Sequence, residues 1–220
     1  PNVIKHFDFE EGVYTQWKLD GFRCVARLQN EGELVLTTNA GKQYPWFGSL
    51  RKSIKRFLNG NNYLDGLDGE VYAHRLEDSD GNGFRDDQRF SLIQGICSIS
   101  RTEPHPLEDQ ICFYVFDLVD LSGDHDQDSR FKIMKKLFKN HDDPRIILVK
   151  TDVISFPEEI VEKHNEYAHE GYEGIMIRDR RLKYKTNYRA LQLRKYKYFI
   201  DEEYPVIGIE KDDGVSDEHF

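Results

Sequence analysis

The stretch Trp17-Lys18-Leu19-Asp20-Gly21-Phe22-Arg23 lies between two segments that have the pattern of β-strands. The second segment, 23–28, alternates with period two, which places Cys24 and Ala26 on one face. Asp20-Gly21 is typical of the two-residue turn of a tight hairpin, because glycine adopts positive φ at little cost. The sequence therefore predicts a β-hairpin with the heptapeptide at its tip.

This turn would hold Lys18 near Arg23, where an ammonium and a guanidinium can bind one anionic ligand. A lysine surrounded by other cations loses proton affinity and can act as a nucleophile near neutral pH. A solvated lysine in an ordinary hairpin accounts for the same seven residues, since short motifs also match by chance. The heptapeptide alone leaves both interpretations open.

The composition is that of a folded chain with a polar surface. Of its 220 residues, 38% are hydrophobic and 32% are charged. No apolar run approaches the roughly 18 residues of a membrane span, and no N-terminal segment has the pattern of a signal peptide. Three widely spaced cysteines, an odd number, indicate reduced thiols of an intracellular protein rather than a disulfide framework or a zinc site.

Positive charge is concentrated in one segment, 178–197, which contains nine lysines and arginines against one acidic residue. The segment carries +8 in a chain whose net charge is −9, so the remaining residues carry −17. A basic strip on an acidic body is typical of a phosphate-binding surface, whereas a solvated charge run is the alternative. Interleaved tyrosines favour a strand over a disordered tail. The basic residues are Arg178, Arg180, Arg181, Lys183, Lys185, Arg189, Arg194, Lys195 and Lys197.

Hydrophobic periodicity along the rest of the chain predicts an α+β fold. Alternating or continuous apolar runs predict strands at 33–38, 67–74, 111–118, 145–150, 173–178, 191–199 and 204–209. Helical spacing predicts helices at 49–58, 90–99 and 130–139, and another that opens at 155–158 and ends before Gly171.

Charged side chains stand at the ends or on the faces of several predicted strands. Glu70 lies near the start of one strand, Glu173 begins another, and Asp117 lies within an apolar strand, where a carboxylate needs a cation or a donor. Lys195 and Lys197 share one strand face and repel each other unless an anion binds between them. Together with an aromatic residue and a nucleophilic lysine, these groups could bind a nucleotide, hold divalent cations on its phosphates and attack the α-phosphate.

Five segments in this order resemble the nucleotidyltransferase domain of ATP-dependent DNA ligases, within the superfamily shared with RNA ligases and mRNA capping enzymes. The resemblance covers about residues 12–200, and its order makes it far more specific than any single motif. The segments are Lys18-Leu19-Asp20-Gly21-Phe22-Arg23, Asp68-Gly69-Glu70, Phe116-Asp117, Glu173-Gly174-Ile175-Met176-Ile177-Arg178 and Lys195-Tyr196-Lys197.

The resemblance implies a role for each matched residue. Lys18 is the lysine that becomes covalently adenylated, Glu70 binds the ribose, and Phe116 stacks on the purine. The residues implied in catalysis are Lys18, Lys195 and Lys197. Those implied in nucleotide binding are Asp20, Arg23, Glu70, Phe116, Glu173, Lys195 and Lys197. The implied metal ligands are Glu70, Asp117 and Glu173, and the implied nucleic-acid contacts are Arg178 and Arg189.

The implied fold is an α+β, ATP-grasp-like nucleotidyltransferase domain at 1–200, in which mostly antiparallel sheets and flanking helices enclose a nucleotide groove. Residues 201–220 would begin an oligonucleotide-binding (OB) domain that is otherwise essentially absent. The implied reaction uses ATP and Mg²⁺ to form a lysyl-AMP, transfers AMP to a DNA 5′-phosphate and seals nicked double-stranded DNA in replication or repair. We expect an intracellular monomer without a membrane partner, in the cytoplasm or nucleus, or encoded by a virus and acting in its host cell.

One departure from the family and three alternative functions stay open. Leu36-Thr37-Thr38-Asn39 lacks the Ser-Arg that many ligases carry after their second strand, so Arg23 or another cation would have to replace that arginine. An mRNA guanylyltransferase shares the lysine motif, but segment 173–178 matches the ligase form more closely. An RNA ligase is less favoured, because many RNA ligases have Ser or Thr soon after the glycine, where this chain has Phe22-Arg23. A non-catalytic binding module is disfavoured because each core catalytic residue type is present.

Overall fold

The computed structural model describes residues 4–29, 32–60, 64–186 and 190–197. The strands are β1 (Val13–Lys18), β2 (Phe22–Leu28), β3 (Leu34–Thr37), β4 (Gly66–Tyr72), β5 (Cys112–Val119), β6 (Ile146–Leu148), β7 (Thr151–Ile154), β8 (Gly174–Asp179) and β9 (Leu193–Tyr196). The α-helices are α1 (Gly48–Asn59), α2 (Asp86–Cys97), α3 (Gln127–Leu137) and α4 (Glu159–His169). The predicted strand at 204–209, the proposed OB segment and Arg189 lie outside the described residues.

The strands form two sheets, which confirms the predicted α+β fold with mostly antiparallel sheets. One sheet has the order β7-β1-β8-β9, and the other has the order β3-β2-β4-β5-β6. All neighbouring strands in both sheets are antiparallel except β5 and β6. Within the described residues, no helix is both long enough and apolar enough to cross a bilayer.

The predicted hairpin between the first two strands is wrong. β1 lies between β7 and β8, whereas β2 lies between β3 and β4, so Asp20-Gly21 carries the chain from one sheet to the other. Gly21 does not have a positive φ. It is required for a close approach to the second sheet, because a Cβ atom there would lie 2.5 Å from the carbonyl oxygen of Val71. A local turn pattern could not reveal this crossing.

Period-two alternation gives each sheet an apolar face and a polar face. Cys24 and Ala26 pack with α1, α2 and α3 into the larger core. Ile175 and Ile177 pack with Tyr167 of α4 into the smaller one. The opposite faces of the two sheets line a cleft between them, to which they contribute Gln16, Lys18, Arg23, Asp68, Glu70, Met176 and Arg178.

Local sequence patterns predict an element correctly when the whole segment packs in one sheet or one core. Helix α1, predicted at 49–58, buries Leu50, Ile54 and Phe57 as the helical spacing requires. The single strand predicted at 145–150 is instead followed by a second strand within three residues. β6 pairs with β5, and β7 pairs with β1 in the other sheet. The chain therefore changes sheets here without a glycine or a long loop to mark the crossing.

Candidate active site

Lys18 ends β1 and lies at the cleft beside the start of β8. The β1–β8 register pairs Lys18 with Gly174, which brings the preceding Glu173 next to the lysine. Lys18 Nζ donates a hydrogen bond to Glu173 Oε2, and Lys197 Nζ donates to Glu173 Oε1 at 2.6 Å. Although burial raises it, the pKa of Glu173 is lowered overall by the hydrogen bonds from these two lysines. One ionised carboxylate therefore bridges two lysines.

Glu70 on β4 faces the turn that follows Lys18. Its Oε1 atom accepts a hydrogen bond of 2.9 Å from the backbone N–H of Gly21. Burial raises the pKa of Glu70 to about 7, although this hydrogen bond and the charge of Lys18 oppose the rise. Burial, reinforced by the charge of Glu173, also raises the pKa of Asp20. Glu70 and Asp20 therefore hold protons more tightly than free carboxyl groups do.

Arg23 lines the cleft, but its guanidinium pairs with a carboxylate. It does not form with Lys18 the joint anion-binding site that the sequence predicts. Its Nε and Nη2 atoms donate to the two oxygens of Asp68 at 2.9 and 2.6 Å, and Nη1 donates to Asn39 at 3.0 Å. The Tyr184 hydroxyl donates to the same carboxylate at 2.9 Å. Despite burial, these contacts raise the pKa of Arg23, which stays a cation.

Phe116 and Asp117 lie on β5 at the other side of the cleft. The Phe116 ring is half-buried, and the guanidinium carbon of Arg178 lies 5.0 Å from its centre. The two oxygens of Asp117 accept hydrogen bonds from Arg130 at 2.8 and 3.0 Å. Arg178 and Gln127 donate to the same carboxylate at 3.4 and 3.3 Å. The cation that Asp117 requires as a buried carboxylate is therefore supplied by two arginines.

The structure does not bring the three predicted metal ligands into one cluster. Across the described ranges, no group of three or more His, Cys, Asp and Glu side chains is placed to hold a metal ion. Asp117 is buried with its oxygens occupied by arginines, and Glu173 is bonded to two lysines. Glu70 keeps one oxygen bonded to a backbone N–H.

Some of the described basic residues in segment 178–197 pair with acidic side chains. Within this segment Arg180 pairs with Asp128 and Arg181 pairs with Asp8. Arg178, predicted to contact nucleic acid, is only 6% exposed. The segment is therefore a weaker free phosphate-binding surface than its composition indicates.

Lys195 is placed differently from Lys197. Its position opposite Met176 in the β8–β9 register puts it on the cleft face, and its side chain is exposed. Lys197, two residues further, contacts Glu173 directly. Only one member of the predicted lysine pair is thus seen to contact the group around Lys18.

Several cleft residues are absent from the sequence prediction. Gln16 shares a face with Lys18 by period two, so strand alternation could have identified it. Met176 could be identified in the same way from its neighbours on β8. Arg130 and Tyr184 come from α3 and from the β8–β9 connection, and only the tertiary fold brings them to the cleft. The whole cleft has a volume of about 270 Å³.

Two sheets that enclose a lysine, a carboxylate that bridges it to a second lysine, and an aromatic residue define a domain of the covalent nucleotidyltransferase class. The model of the ATP-dependent DNA ligase domain family matches residues 2–197, so the chain belongs to this family. The DNA ligase of African swine fever virus (isolate Warthog/Namibia/Wart80/1980) is 26% identical over 225 residues, covering 94% of this chain and 48% of the relative. The chain therefore spans about half the length of the curated relatives it matches.

Solved structures share the fold. Pmar-Lig_PreS3 has a TM-score of 0.68 at 22% identity, covering 86% of this chain and 43% of that chain. Chlorella virus DNA ligase-adenylate has a TM-score of 0.56 at 20% identity, covering 84% of this chain and 60% of that chain. These likenesses confirm the nucleotidyltransferase fold that the sequence resemblance implies.

Proposed function

We propose that this chain adenylates itself on Lys18 as the first step of DNA nick sealing. The observation that carries the proposal is the Glu173 carboxylate bridging Lys18 and Lys197 at the cleft. The Lys18 ammonium loses a proton to give a neutral Nζ amine, which attacks the α-phosphorus of ATP. A P–N bond forms, the P–O bond to pyrophosphate breaks, and the nitrogen releases a second proton to water. AMP then passes to a DNA 5′-phosphate, and the 3′-hydroxyl of the nick displaces AMP.

The cleft residues suit the parts of the nucleotide. Phe116 presents an aromatic ring to a purine, and Glu70 presents a carboxylate to ribose hydroxyls. Lys18, Lys197 and the more exposed Lys195 would neutralise phosphate charge as it develops in the transition state. The Chlorella virus neighbour is a ligase-adenylate, which supports an adenylate on this fold.

Mg²⁺ fits this site only together with nucleotide phosphates. Mg²⁺ is commonly held by one or two carboxylates plus substrate phosphates rather than by a cage of protein ligands. Glu70 and Glu173 are the carboxylates that would hold it, and it would neutralise phosphate charge there. Asp117, which is committed to Arg130 and Arg178, would support the fold of the cleft instead.

The acceptor strand would bind beside the nucleotide cleft. A second hollow of about 290 Å³ shares Arg23 and Tyr184 with the cleft and is also lined by Arg27, Thr37 and Thr38. Arg27 is exposed on the same strand face as Arg23. We therefore assign the first DNA contact to Arg27 rather than to the buried Arg178, and the role of Arg189 stays a prediction.

The wider setting is proposed from the family. The free thiols Cys24, Cys97 and Cys112 agree with an intracellular protein, including one that acts in an infected cell. We also propose that 1–200 is the nucleotidyltransferase domain, that 201–220 begins an OB domain, and that the protein acts as a monomer on nicked double-stranded DNA in replication or repair.

A labelling experiment tests the proposed function. The protein is incubated with Mg²⁺ and ATP or GTP carrying a radioactive α-phosphate, and acid-labile protein label is measured. Wild type should be labelled from ATP, and Lys18→Arg should give no label. Lys150→Arg is the matched control, because Lys150 also pairs with a glutamate, at 2.7 Å, but lies on the surface. Its labelling should equal that of wild type.

The same experiment separates the alternatives. Labelling from GTP alone would indicate a guanylyltransferase, and no label from either nucleotide would indicate a non-catalytic module. Sealing of nicked RNA but not nicked DNA by the labelled protein would indicate an RNA ligase. Label on Lys18→Arg would contradict the assignment of the nucleophile.

A further inference from the structure

The Arg130 guanidinium is deeply buried and fully hydrogen bonded. A guanidinium has five N–H donors. Nε donates to Asp117 at 2.8 Å, and Nη2 donates to Asp117 at 3.0 Å and to Gln127 at 2.7 Å. Nη1 donates to the carbonyl oxygens of His125 and Leu182 at 2.8 and 3.1 Å. Five acceptors therefore fix the position of one side chain.

These acceptors belong to three different segments of the chain. Asp117 lies on β5 directly after Phe116, and His125 and Gln127 lie at the start of α3. Leu182 lies in the β8–β9 connection, which comes from the other sheet. Arg130 therefore joins the two sheets along one side of the cleft.

Tyr184 extends this connection to Arg23. Its ring centre lies 5.6 Å from the guanidinium carbon of Arg130, and its hydroxyl donates to Asp68 at 2.9 Å. Both oxygens of Asp68 accept hydrogen bonds from Arg23. A chain of hydrogen bonds, joined by one cation–π contact between Arg130 and Tyr184, thus runs from the strand that carries Phe116 to the strand that carries Arg23.

We propose that Arg130 and Tyr184 are positioning residues, which set the spacing of Phe116 and Arg23 for the bound nucleotide. This inference rests on the proposed function, because it assigns the cleft to a nucleotide. Arg130 acts through Asp117, next to Phe116, and Tyr184 acts through Asp68. Both are remote in the hydrogen-bond network from Lys18 and Glu173, so they control nucleotide affinity rather than the chemical step.

The choice of polar groups supports a positioning role. Burying an ion pair often stabilises a fold no better than well-packed apolar side chains would. Hydrogen bonds, however, fix both distance and direction, which apolar contacts do not. A cleft that must hold an aromatic ring and a cation at a set separation gains from such a connection.

Tyr184→Phe is the sharpest test, since it removes one hydroxyl and keeps the ring. AMP binding is measured by calorimetry, and the kcat and KM for ATP are measured by labelling. We expect the AMP Kd and the KM for ATP to rise about fivefold to tenfold and kcat to change by less than about twofold. Tyr167→Phe is the matched control, because Tyr167 donates to Asp152 at the same 2.9 Å outside the cleft. Its Kd and KM should equal those of wild type.

Arg130→Lys gives a second measurement, with Arg51→Lys as its control away from the cleft. Arg51 also donates to backbone carbonyl oxygens, among them those of Trp46 and Leu34. We expect a raised AMP Kd only for the Arg130 variant. An unchanged Kd in Tyr184→Phe, or a fall in kcat equal to the fall in kcat/KM, would overturn the positioning role. Wild type that binds no AMP would overturn the proposed function and this inference with it.

Discussion

The two sides of the cleft are stabilised in different ways. On the lysine side, defined by Lys18, Glu173 and Lys197, the side chains keep 17 to 28% of their surface exposed. On the arginine side, which includes Asp117 and Arg130, the side chain of Asp117 is 4% exposed and that of Arg130 is 1% exposed. Water reaches the first group and is excluded from the second.

This difference separates adjustable contacts from fixed ones. Ion pairs that keep contact with water exchange partners at low cost, so phosphate oxygens can replace Glu173 as the partner of the lysines. A buried ion pair with all its hydrogen bonds made can lose a partner only at high cost. The arginine side therefore holds the geometry of the cleft, while the lysine side changes partners during a reaction.

Removing Asp117 should destabilise the arginine side of the cleft. Asp117→Ala leaves Arg130 and Arg178 buried without their carboxylate. Loss of one partner of a buried ion pair costs about 3–5 kcal/mol, so the free energy of unfolding in urea should fall by that amount. Glu166→Ala removes one of the two glutamates that pair with the partly exposed Lys150 and should cost only about 0–1 kcal/mol.

The opposite result has a clear meaning. If Asp117→Ala unfolds at the same urea concentration as wild type but needs far more Mg²⁺ for labelling, Asp117 is a metal ligand, as the family resemblance implies. A large loss of stability at every Mg²⁺ concentration would show that Asp117 instead holds the geometry of the arginine side of the cleft.

The sequence alone predicts most elements of the fold but not their partners. Period-two and helical patterns are local, so they identify β2 and the buried face of α1 correctly. Sheet pairing depends on residues far apart in the chain. Asp20-Gly21 therefore looks like a hairpin turn, although it joins two sheets, and the crossing between β6 and β7 leaves no local pattern at all.

The same limit applies to the site. Lys18 and Glu70 lie in strands and Glu173 directly precedes one, so strand patterns together with the family resemblance identify them, and the structure brings them together around one turn. Arg130 lies on a helix, with no local feature that indicates its partners on β5 and in the β8–β9 connection. The residues that fix the cleft are therefore harder to predict than those that line its lysine side.

Glu173→Gln should impair the chemistry of the lysine side without changing the stability of the arginine side. An amide cannot bridge two ammonium groups as a carboxylate does. We expect lysyl-AMP formation to slow about 10²–10³-fold, the usual cost of removing one preorganised electrostatic partner. AMP affinity and Tm should change little. Glu170→Gln, three residues earlier in the chain, is the control, and its labelling rate should match wild type.

Glu70 gives the lysine side a pH dependence of stability. Its pKa is about 7 in the folded protein, against an ordinary value of 4.5. The folded state therefore holds this proton more tightly, unfolding releases it, and stability falls as pH rises between these two values. Glu70→Gln lacks this fall. Relative to wild type, the variant should gain up to about 3 kcal/mol between pH 4 and pH 8.

Urea unfolding of both proteins at each pH checks the Glu70 prediction. Only the difference between wild type and variant is used, because other groups titrate equally in both. A difference that stays constant from pH 4 to pH 8 would show that the Glu70 carboxyl is not perturbed by burial.

Gly21→Ala should change the difference between the two sides of the cleft least. It tests how the turn after Lys18 is held against the second sheet. The new Cβ would lie 2.5 Å from the carbonyl oxygen of Val71 and 3.0 Å from the Glu70 side chain. Because backbone must shift to relieve this contact, we expect a loss of about 1–3 kcal/mol in unfolding free energy and slower labelling. Gly95→Ala is the control, because Gly95 lies in α2 and its new Cβ would have open space around it among the residues that the structure describes. The free energy of unfolding of this variant should rise by about 0.5–1 kcal/mol. A Gly21→Ala protein as stable and as active as wild type would show that the turn after Lys18 moves freely, and that the adjustable character of the lysine side extends to its backbone.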